Sequence, residues 1–386
     1  MAISLEGYEG PRSIRPQEHE AVRELSRSIF FPGRPPSQDG PRTWPMGLHP
    51  DFRANSLAIF HEGQPVSTIG SLERDVLLYG ARLRLSYIGG VCTHPDHRKR
   101  GLAGALLSAS FQRFREHGVD FAYISGTRPL YYAAGANHIG GFSLFTVPPG
   151  ALVGGPAVAL RQATPEDAPL LCRLNERDGL HMARTPGDYE LLLQHGYCAG
   201  RPCQFLIVEM DGVPAGYLFG WSLEKEGERL LRVLEVRGER LAILSALGLL
   251  AWGAGEGSRV QVEVPQGDLL EALLRTRGMV GEPGRTPGTV KVLDFCGAMT
   301  KLRPYLASRL GAELAASLRF LDAGSRYLML ADGGAFTIDG ETNLLWTLLG
   351  APAGETASGV TATGSLSDLS ERCLPLPLPS VYLNLI

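Results

Sequence analysis

Residues 86–107 read SYIGGVCTHPDHRKRGLAGALL, and this stretch decides the fold of the first part of the chain. Its apolar start predicts a strand that ends near Thr93, and Pro95 then marks a tight turn. A helical pattern follows and runs to about His117, where Gly118 is a stop signal. The order of strand, tight turn and helix places the turn at the N-terminal end of a helix.

The turn between this strand and this helix has the composition of a phosphate-binding loop. Residues 98–100 are Arg, Lys and Arg, and they stand directly before Gly101, which has no Cβ to block the approach of a ligand. Backbone N–H groups and the helix dipole favour a phosphate at a helix N-terminus, so we expect a pyrophosphate here. The Rossmann pattern Gly-x-Gly-x-x-Gly and the P-loop Gly-Lys-Ser/Thr are both absent, which indicates a different phosphate carrier. A solvated basic turn is the alternative interpretation.

The order Val-x-Thr-x-Pro-x-x-Arg-x-x-Gly-x-Ala, from Val91 to Ala103, resembles the acetyl-coenzyme A (acetyl-CoA) motif of the GCN5-related N-acetyltransferase (GNAT) superfamily. The resemblance implies that strand backbone pairs with the pantetheine arm and that residues 98–104 hold the pyrophosphate. It further implies that the next strand, residues 121–125, splays from the first and leaves a notch for the thioester. The implied cofactor-binding residues are Val91, Cys92, Thr93, Arg98, Lys99, Arg100, Gly101, Leu102, Ala103, Gly104, Ser125 and Gly126.

Residues 128–136 are similar to the superfamily's Tyr-x-x-x-Gly-Phe helix end, with Tyr131 four residues before Gly135 and with Ala136 in place of the usual aromatic residue. A departing thiolate, whose thiol has a pKa of about 8.5, requires a proton donor, and a phenol with a pKa near 10 can serve. We therefore expect Tyr131 to be the general acid. A packed aromatic side chain with a hydrogen-bonded hydroxyl is the alternative.

An internal repeat divides the chain. A helical pattern after residues 15–18 and a hairpin over residues 57–66 recur as a helical pattern after residues 164–167 and a hairpin over residues 205–219. Glycine and proline residues from 147 to 156 indicate a link between the copies. The predicted fold class is α+β, with domains at residues 1–150, 151–296 and 297–386. Residues 234–242 of the second copy lack the phosphate loop, so that copy is expected to bind no cofactor.

A tandem pair with a degenerate second copy and a small third domain resembles the enhanced-intracellular-survival (Eis) acetyltransferases over nearly the whole chain. The resemblance implies a sterol-carrier-protein fold for the third domain and a C-terminal carboxylate, here that of Ile386, as the catalytic base. Residues 373–386 contain no charged side chain, and Val381, Leu383 and Leu385 alternate as in a half-buried strand, so we expect a docked tail. Docking without catalysis is the alternative, because burial is the only feature read.

The composition excludes several classes of protein. A formal charge of -3 and a sequence pI of 6.3 give no reason to expect binding to nucleic acid or to an acidic membrane. The most apolar run, residues 241–252, is shorter than the roughly 20 residues of a membrane span. The N-terminus does not read as a secretory signal, so we expect a cytoplasmic protein with reduced thiols.

No metal site is predicted. Cys198 and Cys203 form the closest cysteine pair but lack a second pair or a suitably spaced histidine, and His94 and His97 are interpreted as turn surface. Residues 30–36 lie where the superfamily has a substrate-facing loop. Their aromatic side chains either stack on an amine or simply pack.

The sequence thus predicts an acetyl-CoA-dependent N-acetyltransferase that acts directly on a primary amine of a small molecule or of lysine. The resemblance implies polyamine or aminoglycoside-like acceptors and a homo-oligomer such as a hexamer. One alternative is a CoA-binding sensor or lipid-carrier module without turnover. Another is an acyltransferase that uses a different acyl donor or a peptide N-terminus.

Overall fold

The computed structural model describes residues 6–34, 43–225, 228–253 and 258–385. Its strands, in chain order, are β1 (Glu9–Ser13), β2 (Leu57–His61), β3 (Gln64–Leu78), β4 (Ala81–Thr93), β5 (Phe121–Ile124), β6 (Phe142–Val147), β7 (Ala159–Gln162), β8 (Leu180–Met182), β9 (Tyr197–Cys198), β10 (Arg201–Met210), β11 (Val213–Lys225), β12 (Glu228–Gly238), β13 (Ser258–Pro265), β14 (Glu282–Pro283), β15 (Thr289–Val292), β16 (Arg319–Asp322), β17 (Arg326–Ala331), β18 (Gly334–Asp339) and β19 (Val360–Gly364).

The helices are mostly short and flank three sheets. They are α1 (His19–Phe30), α2 (Pro50–Asn55), α3 (Leu102–Glu116), α4 (Pro129–Ala133), α5 (Ala168–Glu176), α6 (Pro186–His195), α7 (Arg240–Gly253), α8 (Leu269–Thr276), α9 (Phe295–Lys301), α10 (Arg303–Leu310), α11 (Ala312–Ser317), α12 (Glu341–Leu349) and α13 (Leu369–Cys373). None of the described helices combines the length and the hydropathy that crossing a bilayer requires.

The first sheet has the order β1-β2-β3-β4-β5-β15, with β8 beside β3, and its long hairpin β3–β4 turns at Tyr79 and Gly80. Both turn residues have positive φ, which suits a two-residue hairpin loop. Strand β4 runs parallel to β5, and α3 crosses between them. Leu106 and Phe114 of α3 are buried against one face of this sheet, while Tyr87 of β4 is buried on the other.

Two irregularities in β4 open the first sheet at one end. Thr68 pairs with Cys92 and Gly70 pairs with Gly89, so β4 carries an extra residue in a bulge, where Gly90 has a φ of 60°. The parallel pairing of β4 with β5 stops at residues 88 and 124. Beyond this point residues 89–93 of β4 pair with β3 on one side, and no described strand pairs with them on the other.

The second sheet has the order β14-β6-β13-β12-β11-β10-β7 and repeats the arrangement of the first. Strand β12 runs parallel to β13, as β4 does to β5, and α7 connects them as α3 connects the first pair. Leu244 and Leu247 of α7 are buried with Val262 of β13 in a separate apolar core. The fold is therefore mixed α/β with two similarly built sheets.

The two sheets exchange strands. β6 lies within the predicted first domain, residues 1–150, yet it pairs with β13 and β14 of the second sheet. β15 lies within the predicted second domain, residues 151–296, yet it pairs with β5 of the first. A strand's own sequence encodes which face is buried but not which sheet receives it, so this crossing was not predicted.

The C-terminal region forms a four-stranded antiparallel sheet, β16-β17-β18-β19, with α12 packed on it. One continuous apolar core joins this region to the facing sides of the other two sheets. The chain end enters the same core, and Leu383 and Asn384 have no exposed surface. The predicted docking is thus confirmed, but the predicted strand is wrong, because Tyr382–Asn384 form a 3-10 turn that buries consecutive residues rather than alternate ones.

Candidate active site

A cavity of about 300 Å³ lies at the N-terminal end of α3, between that helix, β4, α1 and α4. The structure brings most of the predicted site residues to its wall. Those residues are Val91, Cys92, Thr93, Arg98, Lys99, Gly101, Leu102, Ala103, Gly104 and Tyr131.

Three predicted cofactor residues stand outside this wall. Arg100 is folded back onto the loop, where it donates hydrogen bonds to the Tyr8 hydroxyl (3.0 Å) and to the Asp96 carbonyl oxygen (3.3 Å). Ser125 and Gly126 instead border the gap between β4 and β5. Ile386 lies outside the described residues, and its neighbour Leu385 is buried.

The start of α3 offers its amides to the cavity. Gly101 precedes the helix with a φ of 78°, a left-handed conformation that favours glycine. Among the described residues, no side chain caps the helix start, so the first amides after Gly101 lack the acceptor that such caps usually provide. The side chains of Arg98 and Lys99 are exposed at the same end. This arrangement can hold an anion of more than one charge.

The gap between β4 and β5 leads from the loop toward α4. The backbone amide and hydroxyl of Ser125 both donate to the carbonyl oxygen of Ile88 (2.9 and 3.0 Å), which closes the parallel pairing. Past that point no described strand pairs with residues 89–93 of β4 on this side, so this edge can pair with an extended ligand, although the Thr93 carbonyl oxygen already accepts from Arg98 Nε (3.2 Å). Burial raises the pKa of Cys92 on this edge to about 11, so its thiol is protonated at neutral pH.

Tyr131 closes the far side of the cavity. It lies in α4, is 5% exposed, and its carbonyl oxygen accepts from the amide of Ala136 (3.0 Å). A Cβ placed on Gly126 would lie 2.7 Å from the Tyr131 ring, so glycine there lets the ring approach the chain. In the described part of the chain no group hydrogen-bonds the Tyr131 hydroxyl. Burial raises its pKa, and Arg128 offsets this in part.

The sequence reasoning missed several cavity residues. Ile29 and Phe30 at the end of α1 reach the wall, as do Arg128 and Leu130 around the start of α4. The periodicity of α1 put Ile29 on a buried face, but nothing in it identified that face as a ligand wall. Of the predicted substrate-facing loop, Phe30 lines the cavity, while residues 35 and 36 lie outside the described residues.

His97, interpreted from the sequence as turn surface, also lines the cavity. Its Nδ1 lies 2.9 Å from the Tyr8 hydroxyl, and its ring lies 5.0 Å from that of His61. Partial desolvation and the neighbouring His61 lower the pKa of His97. No group of three or more histidine, cysteine, aspartate or glutamate side chains in the described ranges is placed to hold a metal ion.

The corresponding turn of the second sheet has a different chemistry. Arg237 is buried and donates to the Asn175 side chain (3.0 Å). Arg240 at the start of α7 forms ion pairs with Asp178 (2.9 Å) and Asp268 (2.8 Å). The basic side chains of this turn are therefore engaged with protein groups. Arg98 and Lys99 instead line the cavity, although Arg98 Nε also donates to the carbonyl oxygen of Thr93 (3.2 Å).

Comparisons with known proteins agree with this geometry. Residues 11–138 match the family model of the acetyltransferase (GNAT) domain. No curated protein matches the chain in sequence.

Several solved structures share the fold. A GCN5-related N-acetyltransferase from Kribbella flavida has a TM-score of 0.61 and 15% identity, over 99% of this chain and 100% of its own. A GCN5-related N-acetyltransferase from Anabaena variabilis has a TM-score of 0.59 and 15% identity, over 86% of this chain and 85% of its own. Eis1 from Mycobacterium abscessus has a TM-score of 0.52 and 18% identity, over 75% of this chain and 74% of its own.

Proposed function

We propose that this chain, whose residues 11–138 match the acetyltransferase (GNAT) domain model, transfers an acetyl group from acetyl-CoA directly to a primary amine of a small molecule or of lysine. One observation supports this above all. The start of α3, whose amides no described side chain caps, and Tyr131, whose hydroxyl no described group bonds, line one cavity of about 300 Å³. The amides are suited to bind a diphosphate, and the hydroxyl is suited to donate to a leaving sulfur.

The residues present fit acetyl-CoA, which supplies an acetyl thioester when bound. The amides after Gly101, with Arg98 and Lys99, are placed to receive the diphosphate. The edge of β4 beyond Ile88 is suited to the amide groups of an extended pantetheine arm, because no strand in the described ranges pairs with it there. Gly126 lets the ring of Tyr131 approach the end of this edge.

Tyr131 donates to the sulfur that leaves. Its raised pKa keeps the phenol protonated at neutral pH, where the donor form is needed. Because that pKa exceeds the roughly 8.5 of a thiol, we assign Tyr131 a strong hydrogen bond to the developing thiolate as its main contribution. The protonated thiol of Cys92 in the same cavity is a poor nucleophile, which favours direct transfer over an acyl-cysteine route.

The base is proposed from the resemblance alone. It is the main-chain carboxylate of Ile386, and burial of Leu385 beside it would raise the pKa of such a group. Extending the chain by one residue after Ile386 tests the assignment, because turnover should fall while affinity for CoA stays the same. Unchanged turnover would remove Ile386 from the mechanism.

We propose roles for the rest of the chain as well. The second copy serves as a wall without cofactor, which the ion pairs of Arg240 support. The C-terminal region is proposed to be a sterol-carrier-protein-like module, and the protein a cytoplasmic homo-oligomer.

Release of CoA thiol from acetyl-CoA in the presence of an amine panel tests the proposed function. We expect release that depends on one class of amine, with the acetylated amine identified by mass spectrometry. Tight binding of CoA in calorimetry without any release would instead indicate a sensor. Release with a longer acyl donor, or with a peptide N-terminus, would indicate a different acyltransferase.

A further inference from the structure

The segment that follows Tyr131 is held by two distant parts of the chain. We name residues 134–141 the post-tyrosine turn. It connects α4, which carries Tyr131, to the exchanged strand β6. Helix α4 has five residues, too few to be stable by itself, so the orientation of Tyr131 depends on what the turn contacts.

The exchanged strand β15 holds one side of the turn. The amide of Asn137 donates to the carbonyl oxygen of Val290 (2.9 Å), and the amide of Val290 donates to that of Asn137 (2.7 Å). The amide of Thr286 donates to the carbonyl oxygen of Ile139 (2.9 Å). These bonds extend the first sheet onto the turn.

The C-terminal region holds the other side. The indole Nε1 of Trp346, in α12, donates to the carbonyl oxygen of His138 (2.9 Å). Just after α12, the carbonyl oxygen of Gly350 accepts from the amide of Gly140 (2.9 Å). Hydrogen bonds to the backbone of the post-tyrosine turn therefore fix it from both sides.

An ion pair closes over the turn at Gly135. Lys291 Nζ of β15 lies 3.1 Å from Glu341 Oε2 of α12. A Cβ placed on Gly135 would lie 2.5 Å from this Nζ and 1.9 Å from this Oε2, so the pair rests against the glycine backbone. Gly135 also has a φ of 82°, which favours glycine.

His138 couples the turn back to α4. It is buried, and its Nδ1 lies 3.0 Å from the carbonyl oxygen of Thr286, which only accepts, so Nδ1 carries the proton. Nε2 then accepts from the hydroxyl of Tyr132 (2.8 Å), the residue next to Tyr131. Burial lowers the pKa of His138, which maintains this neutral form.

We propose that Trp346 and Glu341 of the C-terminal region are positioning residues for Tyr131, acting through the post-tyrosine turn. The inference rests on the proposed function of Tyr131. In this proposal the C-terminal region contributes to catalysis through its contact with the turn. This contribution is independent of any role of the main-chain carboxylate of Ile386. Small displacements of a catalytic group lower kcat strongly, with losses on the order of a hundredfold for about 1 Å.

Two substitutions test this in the full-length protein. Trp346→Phe keeps an aromatic ring and removes the donor to His138, and Glu341→Gln removes the charge opposite Lys291. The matched controls are Trp252→Phe, at a 73% exposed residue of α7, and Asp339→Asn, which breaks the Arg326–Asp339 ion pair (2.6 Å) of the C-terminal sheet.

We expect kcat to fall about tenfold for Trp346→Phe and about threefold for Glu341→Gln, with the KM and the dissociation constant for acetyl-CoA unchanged. Hydrogen exchange over residues 129–141 should accelerate in both variants, and in neither control. Unchanged kcat and exchange would overturn the inference, as would equal losses in the controls.

Failure of the positioning role and failure of the proposed function give different results. If the wild-type protein turns over no amine, the proposed function fails, whatever the variants do. If the wild type is active and Trp346→Phe retains its kcat, only the positioning role fails. Because Glu341 is 53% exposed in its side chain, its variant should fold even if Trp346→Phe does not.

Discussion

At the scale of single residues, the unbonded hydroxyl of Tyr131 is the feature with the strongest chemical consequence. Tyr131 lines the cavity, and no group among the described residues hydrogen-bonds its hydroxyl. This favours the proposed donor role of Tyr131 over that of a hydrogen-bonded structural tyrosine.

Tyr131→Phe removes this donor and keeps the ring that packs on Gly126. We expect kcat to fall about a hundredfold with little change in affinity for CoA. Because burial raises the Tyr131 pKa above 10, the ratio of wild-type to variant kcat should be constant between pH 6 and pH 9. Tyr79→Phe, at an exposed tyrosine of the β3–β4 turn, is the control. Equal kcat for Tyr131→Phe and the wild type would exclude the donor role.

His97 predicts a pH dependence of ligand binding. The titratable and charged groups that face it are Tyr8, His61, His94, Asp96 and Arg100. Its pKa is lowered in the free protein, and a nearby diphosphate would raise it, so binding takes up a proton. Affinity should therefore increase as the pH falls from 8 to 6 and decrease as it rises.

Dephospho-CoA is the appropriate ligand, because it lacks the 3′-phosphate that itself titrates in this range. Calorimetry should give an affinity about fivefold higher at pH 6 than at pH 8. His97→Asn should abolish the difference, while His195→Asn, at the end of α6, should leave it intact. A pH-independent affinity of the wild type would contradict the prediction.

At the scale of elements, the start of α3 can be tested without touching a side chain that contacts the ligand. Gly101→Ala adds a methyl group where φ is 78°, at a cost of about 1 kcal/mol, and places it beside the free amides. Gly118→Ala imposes similar strain just after the same helix, where φ is 69° and no atom lies within 4 Å of the added Cβ.

Both variants should lose similar amounts of stability in urea unfolding. Only Gly101→Ala should weaken CoA binding, by about tenfold or more, because only its methyl group lies at the proposed diphosphate site. Equal affinities in the two variants would show that the diphosphate does not bind at the start of α3.

Features whose signals lie close together in the sequence could be predicted, whereas contacts between distant residues could not. The loop and the tyrosine turn were predictable because their signals, Gly101 and the spacing of Tyr131 to Gly135, lie within a few residues. Arg100, which the sequence predicted to bind the cofactor, donates to the Tyr8 hydroxyl, a contact 92 residues away that local sequence does not encode. The prediction of a strand near Leu383 was wrong because packing into a shared core buries consecutive residues of this segment. An alternating pattern describes a segment with one buried face and does not describe that environment.

At the scale of the whole molecule, the exchanged strands make the two halves interdependent. Residues 1–150 include β6, whose Phe145 and Val147 are buried in the core of the second sheet. They lack β15, in which Val290 pairs with Tyr123 of β5. Produced alone, this fragment should show no cooperative unfolding by circular dichroism and should not bind CoA.

Residues 1–150 and 151–386 produced together as two chains should assemble and bind CoA as the intact protein does. The intact protein and the assembled pair are the controls for each other, since they differ only in the break near residue 150. An isolated first fragment that folds and binds CoA would contradict the dependence on β15.

The exchange of β6 and β15 also limits which segments of the two similarly built halves can be lost. Strand β15, which completes the first sheet beside β5, is encoded within the second half of the chain, so a deletion of residues 151–296 would also remove part of the first sheet. Loops, caps and surface charges of either copy remain free to diverge. The second half of the chain therefore has a structural reason to be retained, since its strand β15 completes the sheet of the first half.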